Sequence, residues 1–163
     1  MSVAREDLAT MLDRPVTVDD MELVNWTMAE FAGNMSATDY ALAVNATTIY
    51  RRNIVQWWTD GWDILVTPTL GRLPLKLGAI ANDPQHPSRP MEVANDFVPF
   101  TPPFNITGQP AISLPLHWTK SGLPVGIQFV ATYGREDVLL RLAAQLEIAQ
   151  PWGHRRPTLA PSL

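Results

Sequence analysis

The side chains that could do acid–base or nucleophilic work are few in this 163-residue sequence, and they are scattered. Histidine occurs only at His86, His117 and His154. None has a second histidine three or four residues away, so no helical metal-ligand pair is encoded. A triad of Ser113, His117 and Asp96 fails on geometry. Ser113 and His117 stand four residues apart in one strand, which separates them by roughly 13 Å, outside hydrogen-bond reach. Lys76 falls in a loop and Lys120 at a turn, where a lysine stays solvated and does not become a base. The carboxylate pairs Asp19–Asp20 and Glu136–Asp137 stand at helix N-termini, and the helix dipole explains them. No G-x-S-x-G elbow is present, and no two of the nine glycines are adjacent, which excludes a glycine-rich phosphate cradle. With no cysteine there is neither a disulfide framework nor a thiolate metal site. The residues by themselves make no complete active site, and no cofactor or metal is expected.

Charge and composition narrow the partners. The net charge is −4, and the only adjacent basic pairs are Arg51–Arg52 and Arg155–Arg156, too few to neutralise a run of phosphates. Nucleic acid is therefore not an expected partner. The first residues, MSVAREDLAT, place acids where a secretory signal needs an apolar core, and no stretch approaches 18 apolar residues. No membrane association is expected, and a cytoplasmic location is. Charged residues make up only 17%, against roughly 25% in an average soluble domain. Either the domain is well buried, or part of its surface is covered by another part of the same protein.

The elements that must position any site follow from periodicity. Residues 1–61 read as helical. Ala4 to Leu12 is a short helix. Thr17 is an N-cap, followed by Asp19, Asp20 and Glu22, and then by Met21, Val24, Met28 and Phe31 at helical spacing. Gly33–Asn34 stops that helix. Ser36, with Asp39 three residues on, opens the next, whose apolar positions include Tyr40, Ala43, Val44, Thr47, Ile54 and Trp58. From Asp63 the period changes. Ile64, Leu65 and Val66 form a continuous apolar run closed by Thr67–Pro68, the pattern of a strand buried on both faces. The prolines of residues 70–103 predict a long loop, with a helical turn at Met91 to Phe97. Ala111 to Trp118 alternates, with Ile112, Leu114, Leu116 and Trp118 on one face; Lys120 to Pro124 turns, and Val125 to Tyr133 returns as a hairpin strand. A final helix begins at Glu136 and repeats Leu139, Leu142, Leu146 and Ala149 before Pro151. Residues 151–163 are expected to be an extended tail.

The segment Phe100 to Pro115, FTPPFNITGQPAISLP, resembles the C-terminal hallmark of the amidase signature family. The matching positions are Thr101, Pro103, Asn105, Gly108, Pro110, Ala111, Ser113 and Pro115. Gly122 to Val130 is similar to the strand that follows in that family, Asp63 to Thr69 to the one before, and Glu136 to Glu147 to its Leu-rich helix. These pieces lie in order across residues 63–150. The resemblance implies an α/β fold, the C-terminal portion of the amidase signature fold, with helices flanking a mixed β-sheet, a C-terminal hairpin and a final helix. The chain then reads as a single domain: 1–61 helical, 62–150 carrying the motif, 151–163 tail.

The resemblance also implies a serine–serine–lysine apparatus that cleaves carboxamides through an acyl-serine. Its glycine- and serine-rich signature has no counterpart here, so no catalytic residue is assigned and the chain alone is expected to be inactive. Around the motif, Thr101, Asn105, Gly108, Gln109, Pro110 and Gln128 are candidates for shaping the substrate pocket or supporting it. Gly108 is expected to allow a turn that a Cβ would obstruct, Pro110 to fix the start of the strand, and Asn105 to bond loop backbone. Family members that are amidotransferase subunits commonly carry an aspartate three residues before the motif threonine. Val98 stands there, flanked by Phe97 and Phe100, which points to an uncharged or lipophilic small-molecule amide. Trp57, Trp58 and Trp62 could line such a pocket or stack as core aromatics. The helices and the His-Trp after Leu116 resemble amidases acting on linear or cyclic oligoamides. The expected partner is the N-terminal catalytic half of the same enzyme, and the uncovered faces of an isolated chain favour self-association. A fragment of an amidase, a split-enzyme subunit and a stand-alone binding module all remain open.

Overall fold

A computed structural model describes residues 2–156. The helices are α1 (Ser2–Leu12), α2 (Leu23–Gly33), α3 (Ala37–Thr59), α4 (Arg89–Phe97), α5 (Pro102–Thr107) and α6 (Glu136–Ala149); the strands are β1 (Ile64–Pro68), β2 (Ala111–Trp118) and β3 (Pro124–Ala131). They belong to two compact units, Met1–Tyr50 with Arg72–Pro99 and Arg51–Gly71 with Phe100–Leu163. The boundary between Tyr50 and Arg51 falls within α3.

The first unit is helical. Thr17 does cap, but what it caps is a short 3-10 turn at Val18–Asp20, not the helix expected there. Asp20 accepts from the Thr17 N–H and hydroxyl and from both arms of Arg14, at 2.6 and 2.8 Å. That set of donors, Arg14 foremost, holds the Asp20 carboxyl well below the usual carboxylate range. Met21 then lies in extended backbone, so α2 starts only at Leu23. Its buried centre is Ala29, while Phe31, placed by periodicity on the buried stripe, is 67% exposed. Asn34 ends α2 as expected, its side-chain amide donating to the Glu30 carbonyl. Ser36 and Asp39 form a reciprocal capping box: Asp39 accepts from the Ser36 N–H at 2.9 Å, and Ser36 Oγ accepts from the Asp39 N–H at 3.1 Å.

The prolines of the expected loop correct the reading of residues 70–103. Pro90 and Pro102–Pro103 sit in the first turns of α4 and α5, where a missing N–H costs nothing and the fixed φ favours the helix. The helical turn expected at Met91 to Phe97 is a helix of nine residues, Arg89–Phe97, and α5 arises from a stretch read only as loop and motif.

The second unit is built on a three-stranded sheet of order β1-β3-β2, antiparallel throughout. A mixed sheet was expected; among the described residues no parallel pair occurs. The hairpin forms as the alternation predicts, with residues 119–123 as its loop. Pro115 cannot donate to the ladder, and the register shifts between Leu114 and His117. The strand expected to be buried on both faces, β1, is instead an edge of this sheet, and Val66 is 54% exposed. One sheet face packs against α6. Leu114, Phe129, Ala131 and Leu139 form the buried cluster, with Ile64, Ile112, Ile127, Leu142 and Leu146 around it. Gln150 Nε2 donates to the Leu116 carbonyl at 2.7 Å and ties the end of α6 to β2. After Pro151 the chain makes a turn, and Arg155 stacks over Trp118 at 4.0 Å. The rest of the expected tail, 157–163, lies outside the described residues.

Candidate functional site

The second unit's other sheet face carries a polar row beside the apolar Leu65, Val130 and Ala111, and pairing explains the row. In an antiparallel sheet, directly opposed residues project to the same side. Thr67 opposes Gln128, and Gln128 opposes Ser113, so a threonine, a carboxamide and a serine form one row across all three strands. The Thr69 N–H donates to the Gly126 carbonyl at 3.0 Å and brings a second threonine alongside. Thr69 Oγ1 and Ser113 Oγ share a hydrogen bond of 2.6 Å across β3. They meet directly over Gly126: a Cβ built there would stand 2.6 Å from the serine hydroxyl and 2.8 Å from the threonine hydroxyl. Gly126 is thus the residue that lets the two hydroxyls lie flat on the sheet. Periodicity gave no hint of this, because the requirement comes from two strands brought together by the fold.

Gln128 fastens the motif to this face. It is 4% exposed, and its Nε2 donates to Thr67 Oγ1 at 3.1 Å and to the Phe100 carbonyl at 3.0 Å. A buried carboxamide needs such partners. The Phe100 carbonyl lies one residue before Thr101, which is the N-cap of α5 through its backbone carbonyl, with no side-chain cap. Phe104 and Thr107 are the buried positions of α5, and Thr107 Oγ1 bonds back to the Pro103 carbonyl at 2.9 Å. Gly108 ends the helix at φ 81, a left-handed backbone that glycine adopts freely. A Cβ at Gly108 would meet only the Tyr133 ring edge at 3.5 Å, ordinary contact, so backbone conformation and not crowding explains the glycine. Pro110 leads into β2, and its carbonyl accepts from the Ala131 N–H at 3.1 Å.

The remaining candidates part from expectation. Asn105 lies in α5, exposed; among the described residues its side chain makes no hydrogen bond, so it does not bond loop backbone. Gln109 is 6% exposed, and its Oε1 is buried without a donor among the described residues. Val98 belongs to the first unit, as the half-buried C-cap of α4 with its N–H on the Ala94 carbonyl at 2.9 Å. Gln128 therefore ties the Phe100 carbonyl, next to Thr101, to the strands that carry Thr67, Thr69, Ser113 and Gly126, while the Asn105 side chain stays exposed.

The second unit also carries a cleft of about 500 Å³, lined by Trp58, Trp62, Thr132, Arg135 and Arg141 among others. Asp137 bridges the two arginines, accepting from Arg135 Nε and from Arg141 Nη2 at 2.8 Å each. Arg135 above all holds the Asp137 carboxyl down to about 2. The guanidinium charge is thus already shared with a carboxylate. Trp57 stacks on Trp62 at 5.4 Å, and the buried Trp58 Nε1 has no acceptor among the described residues.

Chemically, the polar row offers hydrogen-bond donors and acceptors and, among the described residues, no general base bonded to it. Ser113 Oγ bonds Thr69 Oγ1, another neutral hydroxyl, and a serine becomes a nucleophile only beside a group that takes its proton. Among the described residues no three His, Asp or Glu side chains converge as metal ligands. No helix among them is long and apolar enough to cross a membrane.

The family profile described as Amidase matches residues 2–140, and the chain belongs to the amidase signature family. It is 40% identical over 154 residues to a 6-aminohexanoate-cyclic-dimer hydrolase of Pseudomonas sp. (strain NK87), covering 91% of this chain and 31% of that protein. A solved structure of 6-aminohexanoate cyclic dimer hydrolase matches with a TM-score of 0.87 at 38% identity, over 96% of this chain and 33% of that one. A bacterial aryl acylamidase of the amidase signature family matches with a TM-score of 0.65 at 18% identity, a likeness of fold. The chain spans about a third of the length of these relatives and corresponds to their C-terminal part.

Proposed function

We propose that this chain is the C-terminal part of an amidase that hydrolyses carboxamide bonds through an acyl-serine, and that it is inactive alone. In this reading a serine outside the chain attacks the carboxamide carbon, the amine leaves with a proton, and water releases the acid. The two units belong to one domain of that enzyme. The observation that carries the reading is the polar row on the sheet: it seats the family motif through Gln128, yet its groups at Thr67, Thr69, Ser113 and Gln128 are neutral, and Ser113 Oγ bonds a hydroxyl and not a proton acceptor.

Its substrate is a small uncharged or lipophilic amide of the oligoamide type. Support comes from the apolar Val98 and from the 40% identity to a hydrolase named for a cyclic dimer of 6-aminohexanoate. Thr101, Gln109 and Gln128 support the wall of the pocket, with Gly108 and Pro110 setting the path of the chain. The partner is the N-terminal catalytic half, the location is cytoplasmic, and in isolation the chain self-associates through its uncovered faces. The free edge of β1 is where the sheet continues.

Hydrolysis of an anilide tests this. The chain alone should show no turnover above buffer. Joined to the N-terminal two thirds of the cyclic-dimer hydrolase, it should give turnover that Gln128→Leu lowers. Turnover by the chain alone would sink the proposal.

A further inference from the structure

We infer that α3 is a core helix of the larger fold, enclosed on all sides by the N-terminal two thirds that the relatives possess and this chain does not. The inference rests on the amidase reading for its choice of occupant, and on α3 itself for everything else.

Every residue of α3 from Ala37 to Asn53 is exposed in this chain. A helix that faces water on all sides should carry charge, yet the stretch from Tyr40 to Tyr50, YALAVNATTIY, has none. A helix whose large apolar side chains point to every side is a buried one. The large apolar side chains are also not confined to one stripe. At 3.6 residues per turn, Tyr40 and Val44 share a side, while Leu42 and Ile49 fall about half a turn away. Tyr40 is 71% exposed, Leu42 62% and Ile49 52%.

The polar side chains are already prepared for burial. Thr47 and Thr48 donate their hydroxyls to the Ala43 and Val44 carbonyls at 2.9 and 3.0 Å. Hydroxyls satisfied within their own helix can lose water without leaving an orphaned donor. Asn45 and the hydroxyls of Tyr40 and Tyr50 are then the polar groups of this stretch that need a partner from outside.

Geometry decides between occupants. A second copy of the chain meets a helix along one side and leaves the other in water. Enclosing opposite sides takes a surrounding fold, and the relatives, about three times as long, have the length for it.

The chain has no cysteine, so thiol labelling reads α3 cleanly. Leu42→Cys and Val44→Cys place a thiol on each of the two sides. Maleimide labelling, located by peptide mass, is compared in the isolated chain and in a chimera where this chain replaces the C-terminal third of the cyclic-dimer hydrolase. Both thiols should label fast in the dilute isolated chain and more than 100-fold slower in the chimera. Labelling in the chimera at the isolated rate would overturn the inference. So would protection of one side alone in the chimera, because a single neighbour and not a surrounding fold would then cover α3. Should the chimera fail to fold, the same labelling after co-expression with the separate N-terminal two thirds decides, and an unprotected α3 there counts against it. Anilide turnover is read separately: enclosure without turnover would leave this inference standing and remove the amidase reading.

Discussion

The helices α6 and α3 carry the same kind of sequence signal and meet opposite fates. In α6, Leu139, Leu142 and Leu146 recur at helical spacing and pack on the sheet, while Glu136, Asp137, Arg141 and Glu147 face water. In α3 the apolar residues are as large, but only Ile54 and Trp58 near its end are even half-buried. Periodicity therefore tells which residues are to be buried, and not whether the covering element lies in the same chain. The distribution of charge tells more: α6 has a charged outer face, and the middle of α3 has none.

The largest expected effect breaks this contrast directly. Leu139→Ala should cost about 2–5 kcal/mol in urea unfolding, because it opens a cavity between α6 and the sheet. Leu42→Ala should change the isolated chain by less than about 0.5 kcal/mol, since its side chain is 62% exposed there. Equal losses would mean that α3 is packed in solution.

Next come the residues of the polar face. Gln128→Leu leaves the Phe100 carbonyl and the Thr67 hydroxyl without their donor. It should cost about 1–3 kcal/mol and speed amide exchange in α5 before it does so in α6. Gly126→Ala should cost about 1–3 kcal/mol by driving a methyl into the hydroxyl pair. In a Thr69→Ala/Ser113→Ala background that cost should shrink, and a double-mutant cycle measures the coupling. An unchanged cost would show that the hydroxyls are not the obstacle.

The smallest effect concerns pH. The folded Asp137 carboxyl, held to about 2 chiefly by Arg135, lies below its ordinary 3.8. A lowered carboxylate contributes stability above its unfolded pKa, and loses it as pH falls through the folded one. The start of α6 should therefore loosen between about pH 4 and pH 2. Asp137 is exposed, so solvent screening keeps the effect small. In an Asp137→Asn variant, the low-pH step of that helix end's titration by NMR, near 2, should be lost.

Much of the second unit was legible in the residues. The hairpin and α6 follow from alternation and helical spacing, and their core pairs Leu114 with Phe129 and Leu139 as those patterns imply. The motif from Thr101 to Pro115 contains Ser113, one member of the polar row. What was hidden has physical causes. Prolines read as breakers turned out to be helix starters in α4 and α5, because a proline in the first turn has no hydrogen bond to lose. Thr17 spent its capping on a 3-10 turn, so α2 began later than its cap suggested. The Thr69–Ser113 pair over Gly126 joins residues 44 apart in sequence, and spacing along one strand cannot reveal it. The apolar run of β1 predicts an inner strand, yet among the described residues β1 has a neighbour on one side only.

We propose that the chain carries the motif of an amidase without its nucleophile. Intact mass after treatment with a fluorophosphonate serine probe tests it most directly. The unmodified mass is predicted, with labelling only once the N-terminal two thirds of the cyclic-dimer hydrolase are joined to it, and on a serine of that part. A stoichiometric adduct on the chain alone, mapped to Ser113 or Ser121, would contradict it.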